Sequence, residues 1–264
     1  MFEEFLEKIG KRKIYATLLG LLYVLVSFGT AQIFFTTNVS IAMMFFITLL
    51  LVPSTTKLIA LEEDMERRDG LNHFARDHYV IIETFLFLAI GIFIGYLLVG
   101  QYNGFAIKDQ KEFLNNQGAF SVEHFSEIEK IPQLLSIITN NISVVLIAFV
   151  LSLFYGVGAL FLIVRNASIV AAFVLGISDA IQKSATVSAV IFSIHFIPEI
   201  AGFLIAALAG GVLSKAFMHE KIGSYPFKNV VKDSTMLLGL AVLCIVGAAL
   251  LEVFVTPQII LSIL

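Results

Sequence analysis

The chain has 264 residues, 58% of them apolar and only 14% charged, with a mean hydropathy of +0.94 and a net charge of −3. A soluble domain carries about 25% charged residues, so a water-soluble globule is excluded and lipid must be the solvent for most of the chain. No basic stripe is present for nucleic acid. The lone Cys244 excludes an internal disulfide.

The first 13 residues, MFEEFLEKIGKRK, are too polar for a secretory signal. Phe2, Phe5, Leu6 and Ile9 share one helical face, which predicts an amphipathic leader lying in the membrane interface. Three spans are expected next, at about Ile14–Phe35, Val39–Ala60 and Val80–Val99. Between the last two lies a charged stretch read as a solvated loop. It contains Glu62-Glu63-x-x-x-Arg67 and Phe74-x-x-x-His78, motifs like those of intramembrane glutamate proteases. Their place in a charged loop argues against that chemistry, and no catalytic residue is assigned.

Residues 100–140 are expected to form an external loop with an amphipathic helix over His124–Thr139. Residues 141–264 then form a membrane core. Its spans are Ile142–Val164, a short or broken Ala167–Gln182, Val187–Val212 and Met236–Val255. Thirteen of the 17 Lys and Arg fall in stretches 1–13, 57–78, 165 and 214–233. The positive-inside rule places those stretches in the cytoplasm. The short segment must then cross. An all-α polytopic bundle of about seven crossings follows, N-terminus inside and C-terminus outside.

The span Val187–Val212 holds the most unusual residues. His195 and Glu199 sit one turn apart at bilayer depth, where ionisable groups are costly and rarely idle. Pro198 lies between them, predicts a kink and frees the carbonyl of Ile194. His195, Glu199, Gly202, Ala206 and Gly210 fall on one face about 80° wide at 100° per residue. Small residues on that face permit close helix approach. Gly91, Gly95, Gly156 and Gly158 do the same in other spans. Three readings stay open for the polar pair: packing of neighbouring helices, ion or proton handling, and catalysis. The pair is expected to form one buried unit, directly or through a third polar group. Asn141 and Asn166 flank a span and read as helix caps near the same centre.

An ordered series runs from residue 141 to 211: Asn141, Gly156 and Gly158, Asn166, Gly176, the run His195-x-x-Pro198-Glu199, then Gly202, Gly210 and Gly211. This resembles the stage II sporulation protein M family of integral membrane proteins. Asn166-Ala167 stands where the family often has Asn-Gly. The resemblance implies a membrane scaffold or remodelling component, with membrane lipids and other membrane or cell-envelope proteins as partners and a possible homo-oligomer. It implies no metal, no cofactor and no chemistry of its own. A transporter or channel-like protein built on His195 and Glu199 is the alternative. Relatives in organisms that do not sporulate mean that a membrane role is implied, but not sporulation.

Overall fold

The computed structural model describes residues 13–69, 74–116, 130–155, 159–180 and 182–263. The amphipathic leader, Gly156 and Gly158 therefore lie outside the described residues. The described chain is helical and forms a polytopic bundle. Helices α1 (Lys13–Phe34), α2 (Val39–Asp69) and α3 (Phe74–Tyr102) come first. A 3-10 turn (Gly104–Ile107) leads into the short α4 (Lys108–Asn116). Then follow α5 (Lys130–Tyr155), α6 (Leu160–Ala180), α7 (Ala185–His219) and α8 (Tyr225–Leu250). A π-helical turn (Leu251–Val255) joins α8 to α9 (Thr256–Ile263). Among the described residues six helices are long and apolar enough to cross a membrane, and Val39–Ser54 of α2 is a seventh, shorter apolar stretch.

Several boundaries differ from the sequence expectation. Residues 124–129 of the expected amphipathic helix lie outside the described residues, and the rest of it, from Lys130, forms one helix with the span that follows, α5. No breaker separates them, and Pro132 sits in the first turn, where a missing N–H costs nothing. Helix α5 ends at Tyr155 and α6 begins at Leu160, so the expected span Ile142–Val164 is divided between them. The segment read as short or broken, up to Ala180, is thus the larger part of α6, whose 21 residues make a full span. Asn141 and Asn166 consequently lie inside α5 and α6 and cap neither. The charged stretch read as a loop is also helical, at the end of α2 and the start of α3. Continuous helix runs on both sides of Pro198 in α7.

Close approaches set the packing. Lys13 of α1 pairs with Glu83 of α3 at 2.6 Å. Further along both helices, Gly91 lies against the Thr17 backbone and Gly95 against Val24, so α1 and α3 run parallel. The Tyr23 and Ser54 hydroxyls, 3.2 Å apart, tie α1 to α2. Helix α7 is central. Gly202 faces Ala241 and Ile245 of α8, while Gly210 faces Phe149, Ser152 and Leu153 of α5. The small-residue face is therefore a wedge between two helices, with Ala206 fully buried between them along the chain. Leu146, Ile147, Val150 and Phe154 of α5 point outward, as residues of a lipid-facing helix should.

Candidate functional site

Antiparallel pairing of α7 with α8 and α9 builds the site. The Phe217 and Phe227 rings meet edge to face, Ser234 donates to the Ala209 carbonyl at 2.7 Å, and Gly202 meets Ala241. Continued along both helices, this register brings His195 to Thr256, with His195 Nδ1 3.0 Å from Thr256 Oγ1. One turn further on α7, the same register brings Glu199 to the level of Glu252 in the π-turn.

The π-turn has a local cause. Pro257 follows Thr256 and has no N–H to give to Val253, so the regular ladder is interrupted there. The Thr256 N–H bonds the Leu251 carbonyl five residues back. Its hydroxyl donates to the same carbonyl at 3.3 Å. With that proton committed, Oγ1 accepts from His195, which places the ring hydrogen on Nδ1 and leaves Nε2 as an acceptor. His195 is buried, and the Phe192 ring meets it edge to face at 5.8 Å. Phe192 packs in turn on Phe173 of α6 at 4.8 Å.

His195 thus finds its partner in Thr256 of the last helix. Glu199 lies level with a second carboxylate, and among the described residues no Lys or Arg pairs with either one. Asn141 is buried on α5 and accepts from Asn140 at 3.1 Å. Asn166 is half-buried on α6. Neither is hydrogen-bonded to His195 or Glu199. Among the described residues no three His, Cys, Asp or Glu side chains converge as metal ligands. The sequence held a usable signal for the other half of the site: Glu252 and Thr256 repeat the four-residue spacing of His195 and Glu199, next to a second proline.

A second polar cluster lies outside the expected centre. Helix α4, expected in an external loop, folds back along α6. Ile107 and Leu175 both close on Gly100, and Arg165 lies over the Phe113 ring at 5.4 Å. Between these contacts Gln110 is buried and donates to Ser168 Oγ at 3.1 Å and to Met44 Sδ at 3.4 Å. Asp109 accepts from Ser40 of α2. Gln110 Oε1 has no hydrogen-bond partner. These groups join α2, α4 and α6, and nothing about their spacing in the sequence marks them.

The family model described as stage II sporulation protein M matches residues 84–257. An uncharacterized protein of Methanocaldococcus jannaschii is 25% identical over 183 residues, covering 68% of this chain and 94% of that protein. No solved structure matches the chain at a significant level. The matched region begins within α3 and ends at Pro257, so it contains all four residues of the polar centre.

Proposed function

We propose that this chain, which belongs to the stage II sporulation protein M family, is a non-enzymatic membrane scaffold or membrane-remodelling component acting through partner proteins of the membrane or cell envelope. One observation supports this reading above others. A buried ionisable group of the bundle, His195, bonds the chain's own Thr256 and is walled by Phe192. A buried group closed in this way fixes helix positions. A solute-handling site would keep such a group open to a hydrated path.

The transporter reading has one specific observation in its favour. Glu199 and Glu252 lie at one level of the bundle and neither pairs with a basic side chain among the described residues, and two such carboxyls in an apolar bundle call for a proton or cation. Proteoliposomes carrying an internal pH dye separate the two readings. Under the scaffold reading, proton leak should equal that of protein-free vesicles and should not change in Glu199→Gln. In native membranes the protein should be held in an assembly larger than its own oligomers, with a cross-linked partner at fixed stoichiometry. A leak that Glu199→Gln abolishes, from a protein that migrates alone, would replace the scaffold with the transporter.

The orientation we propose is N-terminus inside and C-terminus outside. It rests on the partition of basic residues. Reporter fusions at Gln101 and Tyr225 should read opposite sides, with Tyr225 cytoplasmic. Fusions reading the same side would remove one crossing between α3 and α8.

A further inference from the structure

We infer that the turn joining α7 to α8 is a binding surface for anionic phospholipid headgroups. Two properties coincide there. Phe217, Met218, Ile222 and Tyr225 are 50–78% exposed, so four large apolar side chains crowd one short turn. Lys221, Lys228 and Lys232 are exposed beside them. Tyr225, Lys228 and Lys232 share one face of α8, at offsets of 0, 3 and 7. Of the acidic neighbours, Asp233 is buried and Glu220 is half-buried, each with a contact of its own, so the exposed charge is positive.

Depth gives the surface its meaning. The apolar run of α7 ends near Val212, and that of α8 starts near Met236. At 1.5 Å per residue, Phe217 stands about 8 Å beyond the hydrocarbon edge and Lys232 about 6 Å beyond it. Those two lie in the headgroup layer, which extends roughly 5–8 Å on each side of the core, while by the same count Lys228 stands about 12 Å out and Tyr225 about 16 Å out, on its aqueous side. Apolar rings settle in that layer, and lysine stems reach along it to phosphate. Neutral lipid would satisfy the rings but leave the lysines without counter-charge.

The turn is also held in shape. The Glu220 N–H bonds the Ala216 carbonyl at 2.9 Å and closes α7. Gly223 takes a positive φ of 85°, which a side chain would resist. Ser224 caps α8 by accepting from the Phe227 N–H at 3.3 Å, and Pro226 sits in the first turn. The Phe217 and Phe227 rings, 5.2 Å apart, pin the two helix ends together. The lysines are therefore presented on a fixed frame, which lowers the ordering cost of binding.

The test uses the full chain in nanodiscs of dioleoyl phosphatidylcholine doped with dioleoyl phosphatidylglycerol, with retained lipid counted by native mass spectrometry. The wild type should retain phosphatidylglycerol at least tenfold better than phosphatidylcholine. At about a fivefold gain per lysine near an anionic surface, the triple variant Lys221→Gln/Lys228→Gln/Lys232→Gln should bind it roughly a hundredfold more weakly. Its unfolding temperature in pure phosphatidylcholine should not move, because all three side chains are exposed. Phe217→Ser/Tyr225→Ser should weaken both lipids while keeping the preference between them. Equal retention of the two lipids by the wild type would overturn the proposal, as would an undiminished preference in the triple variant. Full displacement by millimolar inorganic phosphate, which would mark a site for a soluble anion, would overturn it as well.

Discussion

Gly91→Ala and Gly210→Ala should be among the most damaging single-methyl additions this chain can receive. A Cβ at Gly91 would land on the Thr17 carbonyl oxygen, with the Thr17 carbonyl carbon only 2.8 Å away. At Gly210 it would strike the Phe149 carbonyl oxygen. Both obstacles are backbone, so no rotamer change relieves them and whole helices must separate. Overpacking of this kind costs about 1–3 kcal/mol and occasionally more, and we expect the upper end. Ala206→Ile, at a fully buried position on the same wedge, should fall in the same range. The control is internal to the protein. Gly239 and Gly247 have open space where a Cβ would go, so alanine there should be neutral or stabilise by up to about 1 kcal/mol through helix propensity. Thermal unfolding in one detergent across the five variants reads the contrast. Equal losses at Gly239 and Gly91 would mean that helix propensity, not close approach, governs these positions.

Thr256→Val should cost about 1–3 kcal/mol, because it keeps the volume of the side chain but leaves His195 Nδ1 buried without an acceptor. Thr256→Ser should recover most of the loss. His195→Leu removes the other partner, and the double change His195→Leu/Thr256→Val should cost less than the sum of the two singles. A coupling of at least about 0.5 kcal/mol is the expected signature for groups in contact. Additive losses would show that the two side chains act separately and that the α7–α9 contact rests on its apolar neighbours alone. Glu199→Gln tests a different relation. Gln keeps the shape of a neutral Glu, so at a carboxyl with no basic partner among the described residues stability should be unchanged or rise, whereas deleting one half of an ion pair would lower it.

The membrane class and the spans were legible because long apolar runs have few alternatives in lipid. The position of the break between α5 and α6 was harder to read. Hydropathy stays high from Tyr155 to Leu160, so a window scan joins the end of one helix to the start of the next. The end of α2 was hidden for the opposite reason: a helix continues through Glu62 and Arg67, although charge there reads as a loop. For the site, one residue of each pair was visible. His195 and Glu199 stood out because a single apolar run surrounded them. Thr256 is too ordinary a residue in a membrane helix to draw attention, and Glu252 read as an interfacial charge. Only the antiparallel register of α7 and α8 brings all four together. The Gln110 cluster depends on α4 folding back along α6, a tertiary event with no local trace in the chain.

Helices α1 and α3 are parallel neighbours whose backbones touch at Gly91, and two parallel helices close in sequence need a segment that carries the chain back between their ends. Helix α2 is that segment. The chain therefore leaves α3 on the face opposite the one from which it enters α1, and the three helices together amount to a single pass.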